Sequence, residues 1–155
     1  MYARTVHPVS PESPVRSLMA WPVATVASEA TLGEVAEALA ADEVGALCVI
    51  ENDGLAGIIS ERDVVAHVAA GADPAHLTAG DVMSTDLVTV GPDESVLAAG
   101  QRMLDSQVRH LPVLDGGLVA GIVSIRDLFG VLVDAADEGD VVVLRSGTRV
   151  MLVGE

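Results

Sequence analysis

The 155-residue chain carries 23 acidic against 8 basic side chains, a formal charge of −15, and half its residues are hydrophobic, with one Phe, one Tyr and one Trp. That length makes one compact domain or two small halves sharing a core, and the core must be aliphatic. The mean field repels phosphate, which excludes nucleic acid and an anionic membrane as partners; a local basic cluster could still hold a small phosphate.

In chain order, residues 1–14 are rich in Pro and polar groups and are expected to form an N-terminal arm. No apolar run precedes Pro8, Pro11 and Pro14, so no signal peptide is expected here. A short extended piece follows at 24–26, then a helix from Thr31, an N-cap whose capping box is completed by Glu34. Leu32, Val35, Ala36 and Leu39 recur at helical spacing. The apolar run 46–50 reads as a buried strand, Asn52-Asp53-Gly54 as a hairpin turn, and 55–59 as the returning strand. Ser60 then caps a helix over 61–69, with Asp63 in its first turn. Residues 71–77, with Pro74, form the linker, inside a Gly71-to-Gly80 stretch.

The same order returns: extended residues 88–90, a helix capped by Ser95 with Val96, Ala99 and Met103 on one face, and a strand over 111–114. Asp115-Gly116-Gly117 turn the chain into a strand over 118–123, and Ser124 caps a helix over 125–133 with Asp127 in its first turn. Residues 135–155 are expected to add a hairpin, 141–144 with 149–153, that has no counterpart earlier. Cys48, the single cysteine, lies in the buried run and fits a reducing compartment; no stretch approaches the roughly 18–20 apolar residues that span a bilayer. A cytoplasmic location is expected.

The parallel order is a sequence repeat. Shifting the chain by 64 positions lays Met19 on Met83, Thr25-Val26 on Thr89-Val90, Val44 on Val108 and Leu47 on Leu111 without a gap. The densest match sets Ala56-Gly57-Ile58-Ile59-Ser60-Glu61-Arg62-Asp63 on Ala120-Gly121-Ile122-Val123-Ser124-Ile125-Arg126-Asp127. The expected fold is therefore mixed α/β (α+β): β-α-β-β-α repeats at 15–70 and 78–134, packed about a pseudo-twofold axis, with a C-terminal β-hairpin extension. A unit of that size buries too little surface alone, which is the reason for two to pack together.

These motifs, with Val108-Arg109-His110-Leu111-Pro112-Val113, resemble the tandem cystathionine β-synthase (CBS) domain pair, the Bateman module, over about residues 15–134. The resemblance implies clefts between the paired sheets and binding of adenosine derivatives. AMP, ADP or ATP are the ligands it points to first, with S-adenosylmethionine or NAD behind them and no obligatory cofactor. A first-turn Asp is held by the helix dipole and can accept hydrogen bonds from both ribose hydroxyls, while a Ser three residues earlier caps the helix and can touch the sugar. Each pair could equally be a plain cap. Carrying the family's arrangement over, Ser60 and Asp63 would face Thr89, Arg109, His110 and Arg126, a phosphate clamp of guanidiniums and imidazole. Ser124 and Asp127 would face Thr25, Gly45, Ala46 and Arg62, with less positive charge. The competing expectation is that Arg109 and Arg126 only pair with acids such as Asp105 or Asp115. Val26, Val44, Val90 and Val108 are candidate adenine contacts or plain core.

Catalytic constellations are missing: no Gly-x-Ser-x-Gly, no Gly-rich loop ending in Gly-Lys, no His-Glu-x-x-His. His7, His67, His76 and His110 lack metal-ligand spacing, so no metal and no enzyme is expected. The functional expectation is a stand-alone regulatory module, a homodimer, that signals nucleotide binding to a protein target on another chain. A constitutive scaffold or oligomerisation module with vestigial clefts is the alternative.

Overall fold

The structure, a computed structural model, describes residues 9–137, 142–146 and 149–153. The first repeat runs β1 (Thr25–Ala27), α1 (Leu32–Asp42), β2 (Ala46–Glu51), β3 (Gly54–Ser60) and α2 (Glu61–Ala69). A short helix, α3 (Ala79–Val82), opens the second, followed by α4 (Val96–Ser106), β4 (His110–Asp115), β5 (Leu118–Ser124) and α5 (Ile125–Asp137). The chain closes with β6 (Val142–Ser146) and β7 (Arg149–Val153). β1 pairs parallel with β2, which pairs antiparallel with β3; β4 and β5 are likewise antiparallel. Both hairpins break register at the same place, Val49/Ile50 and Val113/Leu114, one repeat length apart.

The helices begin where the caps require. Thr31 accepts from the Glu34 N–H while the Glu34 carboxylate accepts from the Thr31 N–H, and Ser95 accepts from the Ala98 N–H. The first two N–H groups of α1 and of α4 are taken by the segment that precedes the other repeat. Leu32 and Gly33 donate to the carbonyls of Leu77 and Pro74; Val96 and Leu97 donate to those of Ser13 and Pro11. Residues 9–14, expected as part of an arm, thus serve α4 as the linker serves α1. Residues 1–8 lie outside the described part.

Those lead-in segments also exchange between the halves. The first core holds Leu32, Val35, Leu39, Leu47, Val49 and Ile59, together with Ala79 and Val82 of α3. The second holds Val90, Val96, Met103, Leu111, Val113 and Val123, together with Val15 from a 3-10 turn at Val15–Ser17. Beyond each wedge the backbone joins the other repeat's hairpin: Ala20 bridges Ile122 and Ser84 bridges Ile58. Each repeat is therefore completed by a piece of chain that precedes the other one. Burying one such Val contributes about 1.5–3 kcal/mol, which fastens the halves together. The seam between the sheets is filled by Ala46, Cys48 and Ile122, with Val23, Ile50, Leu55, Ile58 and Val119 around them. Cys48 is fully buried there, and desolvation pushes its thiol up to about 11, consistent with a small hydrophobe.

Symmetry fails in two places. The extended piece at 88–90 narrows to one bridge, Val90 to Val113. The reason is Pro112, which stands where Cys48 stands in the first repeat. Cys48 donates its N–H to Ala24; a proline has none to give. The second failure is at the end of the chain. α5 continues to Asp137, four residues past its expected end, and the antiparallel β6–β7 hairpin lies against α4 and α5. Residues 138–141, 147 and 148, including part of the expected hairpin turn, lie outside the described part. Among the described residues no helix is long and apolar enough to cross a membrane.

Candidate functional site

The two sheets meet with the starts of α2 and α5 facing one cleft of about 670 Å³. It is lined by Ser60 and Asp63 from one repeat and Ser124 and Asp127 from the other, with Arg62, Arg109, His110 and Arg126. Ala46, Ile58, Val44, Val88, Val108 and Ile122 give it apolar walls. Both Ser–Asp pairs line this cleft. Thr25 and Thr89 do not line it. Thr25 sits exposed on β1, on the far side of β2 from β3, and the Thr89 carbonyl is taken by the Arg102 guanidinium at 2.7 Å. Of the four valines named as adenine contacts, Val44 and Val108 reach the cleft; Val26 and Val90 belong to the cores.

The Ser–Asp pairs are built alike. One oxygen of Asp63, Oδ2, accepts from the Ser60 N–H at 2.8 Å and from the Ser60 hydroxyl at 2.9 Å, while Ser60 Oγ accepts from the Asp63 N–H at 3.3 Å. Asp127 repeats this with Ser124 at 3.0, 2.8 and 3.2 Å. The capping role is therefore real in both repeats. It occupies one carboxylate oxygen only: among the described residues, Oδ1 of Asp63 and of Asp127 accepts no hydrogen bond, and both are free to receive hydroxyl donors. Each helix start is also tied to the strand beside it, Glu61 N–H to the Gly45 carbonyl and Ile125 N–H to that of Arg109.

The guanidiniums decide the electrostatics. Arg16 pairs with Asp93, and Arg102 holds Glu94 at 2.6 Å, which lowers the Glu94 carboxyl below its ordinary range and raises Arg102. Arg62, Arg109 and Arg126 have no ion-pair partner among the described residues. Asp105 accepts from the Gln101 amide, so the expected pairing of Arg109 or Arg126 with Asp105 or Asp115 is not found. Three arginines without an ion pair thus share the cleft with the carboxylates of Glu43, Glu61, Asp63, Asp86 and Asp127.

His110 sits at the seam against Gly45, where a Cβ would lie 3.0 Å from its Nε2. Burial lowers its pKa from the ordinary 6.5; Asp127 and Glu61 oppose that, and Arg109 adds to it. At neutral pH the ring is uncharged and offers one N–H. Its neighbouring carboxylates are Asp127 and Glu61.

Several lining residues were not anticipated: Ser84, Asp86, Glu61, and the two residues that end the first helix of each repeat, Glu43 and Gln107. The last two adopt left-handed backbone, φ 53° and 56°. Ile58, Ile122, Glu43 and Gln107 are each other's counterparts at the 64-residue shift, the signal that could have found them. Among the described residues no group of three His, Cys, Asp or Glu side chains is placed to hold a metal ion.

Comparisons with known proteins agree with this architecture. A sequence model of the CBS domain matches residues 15–70 and again 79–134. The CBS domain-containing protein YhcV of Bacillus subtilis is 35% identical over 116 residues, 75% of this chain and 83% of its own length. Against some other curated relatives the chain spans about half their length. The crystal structure of the CBS domain pair of protein MJ0100, in complex with 5′-methylthioadenosine and S-adenosyl-L-methionine, superposes with a TM-score of 0.71 at 26% identity, covering 77% of this chain and 98% of that one. Hypoxic Response Protein I, solved with two coordinated zinc ions, gives 0.68 at 30% identity over 76% and 98%. With both repeats matched and the exchanged lead-ins in place, the chain belongs to the CBS-domain family, as a tandem CBS pair.

Proposed function

We propose that the chain is a non-catalytic regulatory module whose seam cleft takes an adenosine-type nucleotide, AMP, ADP or ATP, and passes its binding on to a protein partner in the cytoplasm. The observation that carries this reading is the unpaired trio Arg62, Arg109 and Arg126 in one cleft. Guanidiniums match phosphate oxygens two at a time, and three of them share this cleft without an ion-pair partner among the described residues. The free Oδ1 atoms of Asp63 and Asp127 suit ribose hydroxyls, and Val44, Val108, Ile58 and Ile122 suit a purine. The adenosine compounds named with MJ0100 have the same sugar and base. Because both repeats line the cleft, a ligand that binds one seam arrangement better than another shifts their packing, by no more than its difference in affinity.

A thermal-shift series with AMP, ADP, ATP, S-adenosylmethionine and NAD tests the reading. A ligand at 100 times its Kd should add about 2.7 kcal/mol to stability and raise Tm by several degrees. No shift with any of them would favour the scaffold alternative.

The homodimer belongs to the same proposal. α5 exposes Ile125, Phe129 and Val133 at helical spacing, and α2 exposes Val65 and Val68, an apolar face unusual on so charged a chain. Phe129→Glu should convert a dimer to a monomer in light scattering after size exclusion. An unchanged mass would place any dimer contact elsewhere.

A further inference from the structure

The end of the first helix in each repeat carries a residue of the wrong type for its backbone. Left-handed positions after a helix normally hold Gly or Asn, because a larger side chain crowds the backbone there. Among the described residues, non-glycine positive φ occurs at Asn52 and Asp53, ordinary hairpin residues, and at Glu43 and Gln107. Glu43 ends α1 with its N–H on the Leu39 carbonyl, and Gln107 ends α4 with its N–H on those of Leu104 and Met103. Both side chains are exposed on the rim of the same cleft. Strained residues retained at equivalent places beside one cavity point to a use for their side chains.

The two walls of the cleft differ in charge, and these residues are part of the difference. The first-repeat wall presents Glu43, Glu61 and Asp63 against Arg62. The second presents Asp86 and Asp127 against Arg109, Arg126 and the His110 ring. At the 64-residue shift, Glu43 becomes Gln107, Gly45 becomes Arg109, Ala46 becomes His110 and Glu61 becomes Ile125. All four exchanges make the second wall less negative or richer in donors. We infer that Glu43 and Gln107 set the charge of the ligand each side of the cleft admits: Gln107 leaves the Arg109–Arg126 wall open to phosphate, and Glu43 turns phosphate away from the opposite wall. The Glu43 side then suits the uncharged ribose and base of the nucleotide. This inference rests on the nucleotide reading above.

Calorimetric titration of the full chain with AMP and with adenosine separates the two claims. Glu43→Gln should tighten AMP by roughly fivefold to tenfold and leave adenosine unchanged, and Gln107→Glu should weaken AMP by a similar factor. Both changes should shrink as salt rises from about 50 to 500 mM, since exposed charges are screened over about 10 Å at 0.1 M. Glu43→Gly, which also relieves the backbone, should repeat the Glu43→Gln result. If AMP and adenosine shift together, or neither shifts, the rim residues do not select by charge and the inference falls while the nucleotide reading stands. Wild-type protein that binds neither compound would remove the nucleotide reading, and this inference with it.

Discussion

Gly57→Val is expected to destabilise the protein more than any other single change considered, because the position is where the two repeats cross. A Cβ at Gly57 would lie 2.5 Å from Met83 Sδ and 2.8 Å from the Ser84 carbonyl oxygen. The side chain of Met83 can turn aside. The carbonyl cannot, since Ser84 exchanges both backbone hydrogen bonds with Ile58, the residue next to the glycine. Gly121 is held the same way by Met19 Sδ at 2.8 Å and the Ala20 carbonyl at 2.9 Å, with Ala20 bonded to Ile122. Overpacking of this kind costs about 1–3 kcal/mol for an added methyl and more for a branched side chain. Gly57→Ala should therefore lose about 2 kcal/mol and Gly57→Val at least about 3 kcal/mol in urea-induced unfolding. Adding Met83→Ala to Gly57→Ala should recover part of the loss, because the backbone contact remains. A Gly57→Val protein as stable as wild type would mean that the Met83–Ser84 segment does not pack on the first repeat.

The second large effect concerns the ligand. A ribose presents its vicinal hydroxyls on one edge and its 5′ carbon on the other, so the group that grips the hydroxyls and the groups that hold the phosphate belong on different walls. Arg109, Arg126 and His110 make the second-repeat wall the phosphate side, which assigns the ribose to Asp63 across the cleft. Asp127 neighbours His110 and would set a carboxylate beside the phosphate. Asp63→Ala is thus expected to lose AMP more completely than Asp127→Ala. Arg109→Ala should weaken AMP by about 10–100-fold, as for a lost charged hydrogen bond, while sparing adenosine. Each Asp also closes a capping box, so Asp63→Asn and Asp127→Asn serve as milder comparisons. Equal losses from the two alanine variants would remove the case for unequal walls.

The repeat, its caps and most of the elements were legible in the sequence because they depend on short spacings. Thr31 with Glu34 and Ser60 with Asp63 lie three residues apart, and α2 runs over the expected residues. The exchange of lead-ins was not legible. Val15 and Ala79 reach cores formed by residues far along the chain, and apolar periodicity carries no information about which half a segment joins. The reduced strand at Val90 follows from Pro112, a residue visible in the sequence whose effect appears only once its ladder partner is known. At the site, the repeated Ser–Asp pairs and the arginines were readable as candidates. That the arginines lack partners was not, since pairing depends on side-chain placement. The left-handed turns at Glu43 and Gln107 escaped notice because neither residue type signals that backbone.

The most direct measurement is the electron density of crystals grown with AMP. The account predicts one nucleotide in the seam, its ribose hydroxyls within hydrogen-bonding reach of Asp63 Oδ1 and its phosphate against Arg109 and Arg126. A clear seam in crystals of saturated protein, or AMP bound away from both Ser–Asp pairs, would contradict it.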